Sequence, residues 1–161
     1  MSMKVLIVSD THGNNKNLKK AIFAMGTGLD LMVHLGDCMC SPDTIREFVN
    51  CPVEIVKGNC DPFGLENAKI IDIAGHKAFI THGHIYGGNW GIDTMKALAK
   101  KNGAEIVMFG HTHEPMVDKS PEITVINPGS LSKPRQDGRR PTYIVMTAIE
   151  NGETDYSVVY M

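Results

Sequence analysis

The sequence predicts an α/β fold, because an alternating strand and helix pattern is followed by hairpin patterns. In the first part, short apolar runs typical of buried strands alternate with helical stretches, in the order strand 4–9, helix 14–25, strand 31–35, helix 41–49 and strand 53–56. This β-α-β-α-β succession implies a parallel sheet with right-handed crossovers. The hairpins that follow indicate that antiparallel strands are added to this arrangement.

The two helices of the first part have recognisable sequence signals. The first carries apolar residues at i, i+3, i+4 and i+7, namely Leu18, Ala21, Ile22 and Met25. Glycines at positions 26 and 28 end it. The second begins at Ser41, a favoured N-cap residue, with Pro42 at the first helical position.

The second part of the chain predicts two hairpins separated by a further helix and strands. The elements are, in order, strands 69–73 and 77–81, a flexible glycine-rich loop 87–91, helix 92–101, strand 105–109, short strands 116–117 and 123–126, and strands 142–149 and 154–160. The last two strands flank Asn151-Gly152, a pair typical of a type I′ turn.

Composition predicts one globular domain over residues 1–161. Net charge is −2, the hydrophobic fraction 42% and the charged fraction 21%, so neither a membrane nor a stable nucleic-acid partner is expected. None of the four cysteines forms a C-x-x-C pair. We interpret them as reduced thiols of a cytoplasmic protein, with a structural zinc site as the alternative.

Five apolar strands end in a side chain able to bind a metal, next to a glycine. These side chains are Asp10, His12, Asp37, Asn59, His82, His111 and His113. If the strands share one sheet, their ends converge on one edge. Asp10 and His12 are also expected to point the same way, as residues i and i+2 of an extended chain do. Mixed nitrogen and oxygen ligands suit divalent ions from manganese to zinc, and seven ligands are too many for one zinc site. His34 and His76 are interpreted as structural.

The motifs, in their order, resemble the full series of the calcineurin-like metallophosphoesterases. They are Asp10-x-His12, Gly36-Asp37, Gly58-Asn59-x-Asp61, His82 and Gly110-His111-x-His113. Thr81-His82-Gly83-His84 and Asn127-Pro128-Gly129-Ser130 resemble the small bacterial and archaeal phosphodiesterase branch. The resemblance implies a four-layer α/β/β/α sandwich, with two mixed sheets flanked by helices.

The resemblance also implies two metal sites that share Asp37. One metal is expected on Asp10, His12, Asp37 and His113, and the other on Asp37, Asn59, His82 and His111. Manganese is the first expectation, with nickel, iron, cobalt, zinc or magnesium as alternatives. Two such cations, roughly 3.5–4 Å apart, clamp a phosphoryl group and acidify a bridging water, whose hydroxide attacks phosphorus.

The expected activity is a phosphodiesterase acting on a small phosphate ester, a nucleotide being one option. The alternatives are a phosphomonoesterase or nucleotidase of the same mechanism, a metal-dependent sensor, and a non-catalytic scaffold that resembles the retromer subunit. A scaffold needs an exposed apolar patch, for which Trp90, Tyr86 and Phe63 are candidates. By analogy with relatives, a homo-oligomer is also an option.

The chain departs from the family at Cys60, where many relatives have a histidine that assists the leaving group. We expect Cys60 to be non-ligating and to lie at the substrate with Asn59 and His84. His84 is the candidate replacement acid, so that Asp37, Asn59 and His84 form the expected catalytic set; turn capping is the alternative for His84. Asp61 either supports the site or caps a turn.

Two further features have open roles. Asn127 and Ser130 either support the site or belong to a tight turn. A basic loop carries Lys133, Arg135, Arg139 and Arg140. It is either a solvated loop or an attractor of anionic substrates.

Overall fold

Two five-stranded sheets face each other in the computed structural model, which describes residues 1–62 and 64–161. The first sheet contains β1 (Ser2–Val8), β2 (Leu31–His34), β3 (Val53–Ile55), β9 (Thr142–Ile149) and β10 (Thr154–Tyr160), in the order β10-β9-β1-β2-β3. Strands β1, β2 and β3 are parallel, and β9 and β10 add an antiparallel hairpin. The predicted parallel β-α-β-α-β unit is therefore confirmed.

The second sheet is also mixed. It contains β4 (Ala68–Ile73), β5 (His76–Thr81), β6 (Ile106–Met108), β7 (Pro115–Lys119) and β8 (Thr124–Pro128), in the order β4-β5-β6-β8-β7. The three central strands β5, β6 and β8 are parallel, whereas β4 and β7 pair antiparallel at the edges. A parallel centre places the carboxyl ends of several strands at one end of the sheet.

Three helices complete the four predicted layers. Helices α1 (Lys16–Met25) and α2 (Pro42–Arg46) pack on the outer face of the first sheet, where Leu18 and Ile45 meet Leu6. Helix α3 (Ile92–Lys101) packs on the second sheet through Met95 and Ala99. Between the sheets lies a third apolar core, built largely from Val, Ile and Met. Side chains alternate along β1, so Val5 and Ile7 face this inner core while Leu6 faces the helices.

Two local predictions differ from the structure. Residues 87–91 are not an irregular loop, because 3₁₀ turns span His84–Tyr86 and Gly88–Gly91. A Cβ on Gly91 would lie 1.8 Å from the Tyr86 carbonyl oxygen, so this glycine serves close packing. The β9–β10 turn is not type I′, because Asn151 has a φ of 56° but Gly152 has no positive φ. Its loop is also longer than the two residues that select that turn.

His76 joins the two sheets at the end where β5 begins and β9 ends. Its Nδ1 lies 2.5 Å from Glu105 Oε1, and its Nε2 lies 2.9 Å from the Ile149 carbonyl oxygen. Both partners accept, so both ring nitrogens donate and the imidazole is held as a cation. The Ile149 carbonyl and the Glu105 carboxylate raise the pKa of His76, against the opposing effect of burial.

This raised pKa predicts a stability that depends on pH. The contribution of His76 is complete below its ordinary pKa of about 6.5 and is lost as pH rises through the higher folded value. We expect His76→Gln to lower the free energy of unfolding by on the order of 1 kcal/mol near pH 6 and by clearly less near pH 9. Urea unfolding at both pH values measures this, with Lys77→Gln at the neighbouring exposed position as control. An equal loss at both pH values would contradict the cationic state.

In the part of the chain that the structure describes, no helix has the length and apolar character needed to cross a membrane.

Candidate metal centre

The seven predicted ligand residues come together at one end of the molecule. Three of the five strands that precede them, β1, β2 and β3, belong to the first sheet, while β5 and β6 belong to the second. The five strands therefore come from both of the two predicted sheets rather than from one. The residues nevertheless meet, because the two sheets are stacked and their carboxyl edges adjoin.

One group of side chains surrounds the carboxylate of Asp10. Its Oδ1 lies 3.0 Å from His113 Nε2 and 3.5 Å from His12 Nε2. The two Nε2 atoms are 3.3 Å apart. Asp10 is fully buried, and its other oxygen, Oδ2, accepts hydrogen bonds from the Ser9 hydroxyl at 2.6 Å and the His111 N–H at 3.0 Å.

A second group surrounds the amide of Asn59. Its Oδ1 lies 3.1 Å from His82 Nε2 and 3.1 Å from His111 Nδ1. Asp37 stands between the two groups: its Oδ2 is 3.3 Å from His82 Nε2 and 3.7 Å from His12 Nε2. Asp37 is thus the residue whose side chain lies near both groups.

The side chains of the cluster are suited to binding metal ions, because atoms that carry lone pairs face one another. His82 Nδ1 donates to the Leu35 carbonyl and His113 Nδ1 to the Lys133 carbonyl, both at 2.6 Å. When the rings are neutral, these bonds leave Nε2 of each ring without a proton and aimed into the cluster. Asp10 Oδ1 is buried without a hydrogen-bond partner. Between such acceptors a cation is required, either a proton on an imidazole or a metal ion.

The electrostatics of the two carboxylates agree with this requirement. Burial alone would raise the pKa of Asp10, but the His113, His12 and His82 imidazoles hold it well below its usual range. Burial acts on Asp37 in the same sense, and His82 with the Cys60 N–H lowers the pKa of that carboxyl. Both groups are therefore ionised at neutral pH and available to a cation.

The ligand loops are held in a strained backbone conformation. Five of the seven residues have a positive φ, namely Asp10 at 54°, His12 at 48°, Asp37 at 53°, His111 at 68° and His113 at 60°. The extended geometry expected for Asp10 and His12 is wrong, since both are left-handed; tight turns aim their side chains instead. Such residues cost on the order of 1–3 kcal/mol each and persist only where neighbours fix them.

Hydrogen bonds between neighbouring loops fix these turns. The N–H of Asp10 donates to the Gly36 carbonyl at 3.0 Å, and that of His12 to the Asp37 carbonyl at 2.8 Å. The Asp10 carbonyl accepts from the hydroxyls of Ser130 and Ser132 at 2.7 and 3.0 Å. Ser132 and Ser9 were not predicted to support the site, because an isolated serine next to a motif has no sequence pattern that indicates such a role.

Asp61 and Asn127 support the loops from behind, so their site-supporting roles are favoured. The Asp61 carboxylate accepts from the N–H groups of Asp37 at 2.7 Å, Gly58 at 2.8 Å and Met39 at 2.9 Å. Asn127 Nδ2 donates to the Gly110 carbonyl and to the Thr112 hydroxyl, both at 3.0 Å. Both side chains are buried and lie outside the ligand groups.

Gly58, one glycine of the motifs, is required because the Asp37 side chain lies close to its Cα. A Cβ at this position would lie 2.1 Å from Asp37 Oδ1. A side chain here would displace the carboxylate that stands between the two groups.

Cys60 and His84 lie at the open side of the cluster. Cys60 is exposed; its N–H donates to Asp37 Oδ1 at 2.8 Å, and its sulfur lies 3.4 Å from Asn59 Nδ2. Gly83 has a φ of 96°, so the chain turns after His82 rather than continuing extended as expected. The His84 ring still lies beside the cluster, with its centroid 5.4 Å from that of His82 and 6.2 Å from that of His111.

The basic loop meets the cluster mainly through its backbone. The carbonyl of Lys133 accepts from His113, and the N–H of Arg135 donates to the His113 carbonyl at 3.0 Å. The Arg140 guanidinium donates to the carbonyls of Tyr160 and Met161. Arg140 is thus tied to the C-terminal strand, which disfavours a direct role in attracting substrate.

Two of the three residues proposed for an apolar patch, Tyr86 and Trp90, lie in the described part of the chain. The Tyr86 ring packs against Phe79, with centroids 6.3 Å apart. Trp90 is 97% exposed. Phe63 lies outside the described residues.

The stacked sheets and the cluster at their adjoining edges define a metal-site α/β sandwich, and comparisons with known proteins agree. A model of the calcineurin-like phosphoesterase superfamily domain matches residues 3–151. The protein named "Probable metallophosphoesterase YsnB" of Bacillus subtilis is 35% identical over 150 residues, covering 92% of this chain and 86% of that protein.

Two further relatives extend the comparison. Phosphodiesterase MJ0936 of Methanocaldococcus jannaschii is 33% identical over 146 residues, covering 79% of this chain and 83% of that protein. A crystal structure of a predicted phosphoesterase from Streptococcus pneumoniae matches with a TM-score of 0.85 at 25% identity, covering 99% of this chain and 90% of that one.

The chain belongs to the calcineurin-like phosphoesterase superfamily. The predicted fold class and the predicted phosphoesterase function are both confirmed at this level.

Proposed function

We propose that the cluster holds two divalent metal ions and that the protein hydrolyses phosphodiesters. One ion is assigned to Asp10, His12, Asp37 and His113. The other is assigned to Asp37, Asn59, His82 and His111. The observation that carries this proposal is the set of oxygen and nitrogen acceptor atoms that face one another on both sides of Asp37. Acceptor atoms this close repel one another unless cations lie between them.

Bound there, such ions supply an acidified water as nucleophile and neutralise charge on the phosphoryl oxygens. The residues of the chain prepare this chemistry. Asp37 turns its Oδ2 toward His82 of one group and His12 of the other, while its Oδ1 accepts a hydrogen bond from the Cys60 N–H. The hydrogen bonds from His82 and His113 to backbone carbonyls lock both rings with Nε2 inward. The positions of the reacting groups are therefore set before substrate arrives.

The preference for diesters rests on the relative in Methanocaldococcus jannaschii, which is named a phosphodiesterase. Hydrolysis of monoesters, including nucleotides, by the same mechanism is the second candidate. For the metal we propose manganese, because nitrogen and oxygen donors dominate the cluster, with nickel, iron, cobalt, zinc and magnesium as alternatives. The four cysteines are free thiols in the structure, which supports a cytoplasmic location.

Hydrolysis of bis(p-nitrophenyl) phosphate beside p-nitrophenyl phosphate tests the proposal. The protein is stripped of metal and then given manganese, nickel, zinc or magnesium, while bound metal is counted per chain. Metal-dependent turnover that prefers the diester is the expected result. Two ions bound without turnover would favour a sensor or a scaffold, whereas preference for the monoester would favour a phosphomonoesterase.

His84 is proposed as the group that assists the leaving oxygen in place of the family histidine. Its ring lies beside His82 and His111, and its Nδ1 is buried without a hydrogen-bond partner. Burial, followed by the two neighbouring imidazoles, lowers the pKa of His84. Assistance at neutral pH is therefore expected as a hydrogen bond from the neutral ring.

We expect His84→Ala to lower kcat on the order of 100-fold for diesters with poor alkoxide leaving groups. The loss for nitrophenyl esters should be small, because nitrophenolate leaves without help. His76→Ala, at the opposite end of the sheets, is the matched histidine control. Equal losses on both kinds of ester would remove the leaving-group role and leave His84 as a turn residue.

A further inference from the structure

A cleft of about 530 Å³ opens directly beside the metal centre, between the loops that follow β2 and β3. In the described part of the chain it is lined by Met39, Cys40, Ser41, Asn59, Cys60, Asp61 and Pro62. We call this the Met39 cleft. Its volume is in the range of small-molecule sites, although no motif of the sequence points to it.

The Met39 cleft begins where the proposed phosphate site ends. Asn59 lines the cleft, and its Oδ1 contacts His82 and His111 of the cluster. Cys60 also lines it, and the sulfur lies within 4.8 Å of ligand atoms of His12 and Asp37. A phosphoryl group held at the cluster therefore has this cleft as its neighbour.

The lining has few polar groups that are free to bind a ligand. No lysine, arginine or histidine is among the described residues that line it. The one carboxylate, Asp61, is 8% exposed and already accepts three backbone N–H groups. The Ser41 hydroxyl accepts the N–H of Asp43 as a helix cap. What remains is the Asn59 amide, whose Nδ2 lies 3.4 Å from the Cys60 sulfur, and the sulfur and apolar atoms of Met39, Cys40, Cys60 and Pro62.

Met39 is both exposed and fixed, an arrangement suited to contact with a ligand. Its side chain is 49% exposed, yet its backbone has a φ of 52° and donates its N–H to Asp61 Oδ1 at 2.9 Å. A left-handed methionine at a tight turn stores strain, and such residues concentrate at functional sites. The flexible, polarisable thioether packs well against aromatic rings.

A diester differs from a monoester in what it presents to such a cleft. A monoester has three non-bridging oxygens that share up to two negative charges. A diester has two such oxygens and one negative charge, and its third oxygen carries an organic group, so it needs less positive charge around it. The edge of the cluster at Cys60 offers a thiol and apolar surface instead of a cation. This edge therefore matches the second organic group of a diester.

We propose that the Met39 cleft binds the ester group that stays on phosphorus during hydrolysis, and that it favours an uncharged aromatic group. The proposal rests on the phosphodiesterase function given above and names its substrate class: diesters with a flat apolar substituent, rather than polyphosphates or anionic groups.

Kinetics with two diesters that share one leaving group test the proposal. Bis(p-nitrophenyl) phosphate and methyl p-nitrophenyl phosphate both release nitrophenolate but keep an aryl or a methyl group. We expect Met39→Ala to raise KM about five-fold for the aryl diester and to leave KM for the methyl diester unchanged. Met39→Leu should retain most of the affinity. Phe23→Ala, which removes an 88% exposed ring from α1, should change neither.

A binding measurement keeps the proposal testable even if turnover is absent. In metal-loaded protein labelled at the methionine methyl groups, diphenyl phosphate should shift the Met39 methyl signal, assigned by its loss in Met39→Leu. Dimethyl phosphate should not. Turnover with equal KM effects on both diesters, or an unshifted Met39 signal at saturating diphenyl phosphate, would overturn the proposal. A shifted signal without turnover would instead retain the cleft as a binding site and contradict the enzymatic function.

Discussion

Asp37→Asn is expected to lower kcat/KM for bis(p-nitrophenyl) phosphate on the order of 1,000-fold or more. The substitution keeps the shape of the side chain but replaces one carboxylate oxygen by an NH₂ group, which cannot bind a cation. Asp37 Oδ2 lies between His82 and His12, so the shared position of the proposed centre is lost. We expect bound metal to fall from two ions per chain to one or none.

The apo protein should not be destabilised by the same change. Asp10 and Asp37 repel one another, since the Asp10 carboxylate acts to raise the pKa of Asp37. Removing one charge relieves that repulsion, so Tm without metal should stay equal or rise, while the gain in Tm on adding metal shrinks. Asp93→Asn on the exposed first turn of α3 makes the same chemical change away from the cluster. Full activity and two bound ions in Asp37→Asn would contradict the shared-ligand assignment.

Much of this centre could be predicted because its residues follow strands. When a buried apolar run is followed directly by a polar residue such as Asp10 or His111, that residue lies at the end of the strand, independently of how the strands pair. The motif order then identified the family without any knowledge of the sheet partners. Apolar runs give no information on which strands pair, so the residues alone left open which of the two sheets each strand joins. Stacking of the two sheets depends on long-range packing such as Ile7 with Ile126 in the core between them.

The turns themselves could not be read from residue type. Left-handed backbone is ordinary for glycine but not for Asp10, Asp37 or Met39, and nothing in the sequence marks these positions as strained. The same holds for the residues that hold the strain in place. Asp61 alone has no stronger sequence signal than any aspartate near a turn, although in the structure it accepts three N–H groups from two loops.

Asp61→Ala is therefore expected to cause the largest loss of stability, about 3 kcal/mol in the free energy of unfolding. It leaves the N–H groups of Asp37, Gly58 and Met39 without their acceptor in a buried site. For a domain of this size the loss corresponds to a Tm lower by roughly 6–12 °C. Because the Asp37 loop loses its anchor, metal affinity should fall as well, even though Asp61 lies outside both proposed ligand sets.

Two matched variants separate this role from a general effect of losing a carboxylate. Asp61→Asn keeps one acceptor oxygen but turns an NH₂ group toward a donor, so an intermediate loss is expected. Asp72→Ala removes an exposed aspartate that accepts a single N–H, from Gly75 at 2.8 Å, and should cost about 0.5–1 kcal/mol. Urea unfolding of the metal-free proteins gives the three values. If Asp61→Ala lowered the free energy of unfolding no more than Asp72→Ala does, other contacts would have to hold the strained turn at Asp37. The supporting role inferred for Asp61 would then be wrong.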